Sequence, residues 1–170
     1  MLYLLDASVL ITAHNSYYPV GRIPEFWEWL QYMAAAGCIK MPLENYEEIT
    51  DGPKGNDILY KWLHDPLNED SLVLKEVVDA GAVDYVVNAG YAPDLTDDEI
   101  EQLGRDPFLI AYGLVQTNDR SVVTVEVSKP SKKRSNRHIP DVCKSVGVHS
   151  CDPFTMYRDL GFGTGWKLLT

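Results

Sequence analysis

The sequence contains no apolar stretch approaching the roughly 20 residues that a membrane-spanning helix needs, so we expect no membrane span. It has only three cysteines, Cys38, Cys143 and Cys151, and they form neither a CxxC pair nor the Cys/His spacing of a zinc site. No basic residue precedes the first apolar run, which argues against a secretory signal at residues 1–15. Together these absences favour a reducing, cytoplasmic location.

Basic residues are scarce over most of the chain, and the formal net charge is −10. Residues 1–128 contain 7 Lys or Arg against 22 Asp or Glu, whereas residues 129–170 contain 8 against 3. The run "KPSKKRSNR" at 129–137 holds five basic residues and no acid. It is either a solvated loop or a phosphate-binding patch. Its candidate RNA-binding side chains are Lys129, Lys132, Lys133, Arg134 and Arg137.

The sequence also lacks internal repeats, linkers and any second composition regime, so residues 1–170 are expected to form one domain. Hydrophobic residues make up 45% of the chain and charged residues 24%, as in ordinary globular proteins. A domain of this length buries roughly 70% of the surface that its unfolded chain exposes. The composition therefore permits a substantial core.

Short apolar runs alternate with helical patterns along the chain. The predicted strands are 2–6, 38–41, 121–126 and 146–150. The predicted helices are 24–37, 43–49, 56–65 (closed by Pro66), 96–104, 106–116, 139–147 and 152–161, with a turn at 50–55 and with 71–90 as one helix or a helix broken at Gly81. This alternation predicts an α/β fold in which helices cover both faces of a parallel sheet, a three-layer α/β/α sandwich.

Acidic residues occur where this fold places its sites, at the carboxyl ends of the strands. Asp6 ends the first predicted strand and Glu126 ends the third, while Asp106 is the expected N-cap of a helix. Glu47 and Glu48 lie on the helix after the second strand. If these carboxylates converge, their repulsion favours a bound cation, and oxygen ligands suit Mg²⁺ or Mn²⁺. Such a site activates water for phosphodiester cleavage.

Each acid also has a purely structural interpretation. Asp106 before Pro107 is a good helix N-cap on stability grounds alone, Glu47 and Glu48 can face solvent, and Glu126 can begin a loop. Asp6 is the hardest to explain structurally because it lies between two apolar runs, where a lone charge is costly. Asp119 is expected in a turn before the third strand.

The segments "LLDASVLI", "YEEI", "DPFLIAYGL" and "VVTVE" resemble the four motifs of PIN-domain nucleases, and most closely the VapC-like bacterial toxin branch. The resemblance implies metal-dependent cleavage of single-stranded RNA. Asp6, Asp106 and Glu126 would bind Mg²⁺ or Mn²⁺ and Glu48 would complete the catalytic acids, with Glu47 one register away. Ser8 and Thr124 would support the site through hydrogen bonds.

The fourth motif departs from the usual Thr-x-Asp, because Glu126 stands where that pattern has aspartate. The segment "IPDVC" followed by "GV" also resembles a signature of PIN-like toxins. The resemblance further implies a small cognate antitoxin, whose arginine could pair with the carboxylates, and a possible homodimer.

Two other functions compete with the nuclease. A PIN-like module with a degenerate metal site would act by docking RNA or a protein, and the glutamate at position 126 favours it. A haloacid-type phosphatase needs a DxD motif near the first strand, which "DAS" lacks. The scattered histidines give no partner for a serine nucleophile, and "GFGTG" at 161–165 does not lie between a strand and a helix as a nucleotide loop requires.

Overall fold

A computed structural model describes residues 1–51 and 57–168. Within these residues, the sheet has four parallel strands in the order β2-β1-β3-β4. Their bounds are Leu2–Leu5 for β1, Ile39–Lys40 for β2, Arg120–Val123 for β3 and His149–Cys151 for β4. Helices cover both faces of the sheet, so the predicted three-layer α/β/α sandwich is confirmed. Most of the turn predicted at 50–55 lies outside the described residues.

The helices of the described ranges agree in most places with the sequence pattern. They are α1 (Ala7–Thr12), α2 (Pro24–Ala35), α3 (Leu43–Thr50), α4 (Ile58–Leu63), α5 (Pro66–Leu72), α6 (Ala80–Tyr85), α7 (Asp97–Leu103), α8 (Asp106–Leu114), α9 (Ile139–Val146) and α10 (Pro153–Asp159). Two π-helical segments, Ala13–Tyr17 and Val86–Tyr91, continue α1 and α6. No helix among these is long and apolar enough to cross a membrane.

The side chains of the central strands alternate between two cores. Tyr3 and Leu5 of β1 pack with the aromatic residues of α2, whereas Leu4 packs with α8 and α9. β3 repeats the pattern with Val123 in the first core and Val122 in the second. Both faces are therefore buried, which is why β1 consists of apolar residues throughout and why even Arg120 and Ser121 of β3 are buried.

The segment predicted as a helix over 71–90 is built differently. Pro66 begins α5 rather than closing α4, because the Asp65 carboxylate accepts a hydrogen bond from the Leu67 amide at 2.9 Å and caps the new helix. Residues 73–79 are then extended, and Met41 bridges Val73 beyond the end of β2. Helix α6 starts only at Ala80, so Gly81 is inside a helix and does not break one.

The strand predicted over 121–126 is also shorter than expected. β3 ends at Val123, because the Thr124 hydroxyl turns back to accept from the Glu126 amide at 3.2 Å and this local hydrogen bond replaces the strand ladder. Glu126 is therefore a loop residue, three positions past the strand. β4 begins at His149 rather than 146, since α9 continues to Val146 and Gly147 ends it at φ 75°.

Gly90 permits a close approach between the second π-helical segment and α9. A Cβ at this position would lie 2.6 Å from Val142 Cγ1 and 3.3 Å from Val146 Cγ1. The branched valine side chains have few alternative rotamers in a helix. The absence of a side chain at Gly90 thus sets the position of its neighbour Tyr91.

We expect Gly90→Ala to lower the free energy of unfolding by about 1–3 kcal/mol, because the added methyl group overpacks this contact. Gly163→Ala is the control, since a Cβ there meets nothing within 4 Å. Urea denaturation of both variants measures the difference. Equal stability of the two would contradict the packing argument.

Candidate active site

Asp6 is a buried carboxylate at the carboxyl end of β1, with 6% of the residue exposed. Its Oδ2 accepts a hydrogen bond from Thr124 Oγ1 at 2.9 Å and another from Ser8 Oγ. It is the N-cap residue of α1 but forms no side-chain capping bond. Two hydroxyl groups therefore hold this carboxylate, and they belong to the two residues that the sequence assigned to its support.

Asp106 lies close to the other predicted acids. Burial, followed by the negative charges of Asp6, Glu126 and Glu48 in that order, raises the pKa of Asp106 to about 8. The structure thus brings together four carboxylates from distant parts of the sequence. Without a cation, Asp106 holds a proton at neutral pH because a fourth negative charge there is unfavourable.

The expectation that Asp106 caps a helix was wrong. Arg105 occupies the N-cap position, and Asp106 is the first residue of α8 without a side-chain capping bond. The reason is the Arg105 backbone carbonyl, which accepts from the Phe108 and Leu109 amides and so starts the helix one residue earlier. The Asp106 carboxylate is therefore not used to cap the helix.

The two candidate glutamates of α3 differ in their surroundings. Glu48 is the one whose charge raises the pKa of Asp106. Glu47 instead forms a long ion pair with Arg105, whose Nη2 lies 3.9 Å from Glu47 Oε2. The geometry therefore places Glu48 in the acidic group, as the sequence register indicated.

Glu126 belongs to the same group but is tied to α9. Its Oε2 accepts a hydrogen bond from the Ile139 backbone amide at 2.7 Å, at the first residue of that helix. The positive end of the helix dipole stabilises a carboxylate there. His138 Nδ1 lies 3.9 Å from the same oxygen. Glu126 reaches the site from a loop, because β3 ends three residues earlier, at Val123. Its side chain is one methylene longer than that of the aspartate usual at this position.

The donor chemistry of these four acids fits a hard cation, since all of them offer carboxylate oxygens. Within residues 1–51 and 57–168, however, no three Asp, Glu, His or Cys side chains are already arranged to coordinate one ion. The acids are neighbours rather than a preformed coordination shell. Mg²⁺ or Mn²⁺ binding stays a prediction.

Tyr91 was not predicted from the sequence and borders this acidic group. It is 7% exposed, and its hydroxyl has no hydrogen-bond partner among the described residues. Burial and the charges of Asp106 and Glu126 raise the pKa of Tyr91, so the hydroxyl stays protonated and able to donate. Nothing in the sequence marks it, because an aromatic residue in a helical pattern normally indicates core packing.

The two arginines of the basic run bind to the protein itself. Arg134 pairs with Glu99 through Nε–Oε1 and Nη2–Oε2 contacts of 2.7 Å, and with Asp94 at 2.7 Å. Arg137 donates to the carbonyl oxygens of Gly90 and Asp141. These guanidinium groups fasten the loop to the rest of the protein, and their RNA contacts stay a prediction.

The three lysines of the run are exposed, and across the described residues their side chains form no ion pair. Asp141 holds the start of this loop by accepting from Ser128 Oγ at 2.6 Å and from the Lys129 amide at 2.7 Å. This contact gives a structural role to the "IPDVC" segment. RNA contact stays a prediction, and the geometry favours Lys129, Lys132 and Lys133 for it.

The comparisons with known proteins assign a family. Residues 3–164 match a family described as a domain of unknown function, DUF4411. The chain belongs to this family. No match was found among curated proteins or among solved structures. The DUF4411 match covers all four acids but attaches no activity to them.

The raised pKa of Asp106 predicts that the free energy of unfolding of the metal-free protein decreases as the pH rises. In the unfolded chain this carboxyl has an ordinary pKa of about 3.9. Between that value and about 8 the folded state binds the extra proton, so stability falls as the pH rises through this range. We expect Asp106→Asn to be more stable than wild type at pH 8 in EDTA, on the order of 1–3 kcal/mol.

Thermal unfolding of both proteins from pH 5 to 8.5 measures this effect. Asp119→Asn is the control, because Asp119 is an exposed turn residue. The gap between Asp106→Asn and wild type should widen towards pH 8. A gap that is constant with pH would contradict the ionisation argument.

Proposed function

We propose that this protein is a metal-dependent endoribonuclease with a PIN-like active site. The observation that carries the proposal is the convergence of Asp6, Glu48 and Glu126 on the buried Asp106; burial and these three charges together raise the pKa of Asp106 to about 8. A protein gains no stability from crowding four carboxylates at a sheet edge. Clusters of this kind with strongly shifted pKa values are typical of functional sites.

Asp6, Asp106 and Glu126 would hold Mg²⁺ or Mn²⁺. When bound, such an ion lowers the pKa of water and stabilises the charge that develops during phosphodiester cleavage. The chain itself fixes the carboxylates: Ser8 and Thr124 orient Asp6, and the Ile139 amide orients Glu126. Hydrogen bonds of this kind reduce the freedom of the ligands before any cation arrives.

An RNA substrate needs positive charge near an acidic centre. Lys129, Lys132 and Lys133 follow Glu126 in the chain and are exposed, so they can meet the phosphates on either side of the cleaved bond. The toxin role, the cognate antitoxin, the possible homodimer and the cytoplasmic location rest on the resemblance of the sequence motifs. No contact among the described residues adds to that support for these four parts of the proposal.

A docking module for RNA or protein is the second candidate. It is favoured by the contact of Glu126 Oε2 with the Ile139 amide, which occupies one oxygen of the fourth acid. The lack of three ion-binding side chains already in place within the described ranges points the same way. In this alternative the acids would form a binding surface without chemistry.

Cleavage of a mixed pool of tRNA and single-stranded RNA separates the two functions. We expect cleavage with Mg²⁺ or Mn²⁺ but not with EDTA. Asp106→Asn should reduce the rate by roughly 100-fold or more, the scale seen when one electrostatic stabiliser of a transition state is removed.

Asp119→Asn serves as the matched control and should keep wild-type activity, because it changes an acid outside the group. Circular dichroism establishes that each variant is folded. If partner-free wild type binds the RNA pool but cleaves none of it with either metal, the nuclease proposal fails and the docking module replaces it.

A further inference from the structure

A small, largely apolar pocket lies beside the acidic group. Its volume is about 140 Å³, and its lining includes Val9, Thr12, Tyr17, Val125, Asp152 and Phe154. The lining residues come from α1 and its π-helical continuation, from the segment after β3, and from the start of α10. None of the proposed chemistry uses this pocket.

Two elements that carry candidate active-site residues also contribute to the lining of the pocket. Val125 lies between Thr124, which binds Asp6, and Glu126. Helix α1 follows Asp6 directly, and its residues Val9 and Thr12 line the pocket one and two turns later. A chain lying across the carboxylates can therefore place its next unit in this pocket.

Two half-exposed aromatic rings form the rim. Tyr17 is 50% exposed and Phe154 is 44% exposed, and their ring centroids lie 5.2 Å apart with planes inclined at 78°. Aromatic residues are normally buried for their large apolar area. Rings that stay at the surface around a concave site offer faces and edges to a flat ligand.

The charges of the lining select the type of ligand. Asp152 is the only charged lining residue in the described part of the chain, and it is acidic. A phosphate would be repelled there, whereas an uncharged aromatic group would not. Asp152 Oδ1 accepts from the Phe154 amide at 2.9 Å and from the Thr155 amide at 3.1 Å, and Oδ2 accepts from Thr155 Oγ1 at 2.7 Å. These bonds fix the carboxylate at the start of α10, and Oδ2 keeps one lone pair for a further donor.

We propose that this pocket binds one unpaired nucleobase of the RNA, next to the phosphate that is cleaved. The inference rests on the proposed function and adds a base-recognition site to it. Stacking on Tyr17 and Phe154 supplies affinity that does not depend on sequence. The Asp152 carboxylate can still accept from an exocyclic amino group, so it favours adenine, cytosine or guanine over uracil.

The test uses binding in a variant that does not cleave. Unstructured RNA with one 2-aminopurine base is titrated with Asp106→Asn protein in Mg²⁺, and quenching reports a stacked base. Adding Phe154→Ala or Tyr17→Ala should remove the quenching and weaken binding by about 5- to 150-fold, the range measured for base–aromatic stacking. Tyr85→Ala is the control, since Tyr85 is a comparably exposed ring on α6.

Base selection is tested in a protein that cleaves. Asp152→Asn keeps the helix cap, because asparagine caps as well as aspartate, but its amide can also donate. We expect the preference for amino-bearing bases beside the cut to relax in this variant. A map of cleavage sites on RNA of mixed sequence measures the preference.

The possible failures are distinguishable. If wild type cleaves and the aromatic variants on the Asp106→Asn background quench and bind like the Tyr85→Ala control, the pocket is not a base site, and an apolar segment of a partner protein becomes its occupant. If quenching depends on Phe154 while wild type cleaves nothing, the pocket inference holds and the nuclease proposal fails.

Discussion

The repulsion among four carboxylates at the carboxyl edge of the sheet is the constraint on which the rest of the structure depends. It appears in the raised pKa of Asp106, which burial and the other three acids produce together. Local hydrogen bonds offset this electrostatic repulsion: Asp6 accepts from two hydroxyl groups, and Glu126 accepts from a backbone amide. Such donors keep a charged group in place that would otherwise turn to solvent.

The loop between β3 and α9 carries much of this support. Asp141 binds the backbone after Glu126, and Arg134 joins the loop to Glu99 of α7. Arg137 binds the carbonyl of Gly90, next to the buried hydroxyl of Tyr91. The basic run thus has two parts: its arginines hold the loop against the rest of the protein, and its lysines remain at the surface.

Much of the site could be predicted because strand periodicity fixes which residues share an edge. The apolar run before Asp6 and the pattern around Asp106 each specify one position at the carboxyl ends of the strands. The same reasoning misplaced Glu126 as a strand residue, since a threonine hydroxyl that ends a strand is not visible in a β-branched run. The local sequence pattern therefore identified the carboxylates but not the secondary structure of the segment that carries Glu126.

Other features depend on contacts that no local pattern contains. The extended segment at 73–79 forms because Met41 bridges Val73 at the edge of the sheet. Gly90, next to Tyr91 in the chain, packs so closely against Val142 that a Cβ would not fit. The arginine pairs of the basic run join residues more than thirty positions apart. Tertiary packing decides each of these, so a single sequence could not predict them.

The titration of Asp106 tests the central claim most directly. Carboxyl ¹³C NMR of the full chain, labelled at aspartate and assigned with Asp106→Asn, follows this group in EDTA and in Mg²⁺. We expect a pKa near 8 without metal, because burial and the three neighbouring charges both disfavour the ionised form, and a large downward shift when Mg²⁺ is added. An ordinary pKa near 4 that Mg²⁺ leaves unchanged would contradict both the carboxylate cluster and its role as a cation site.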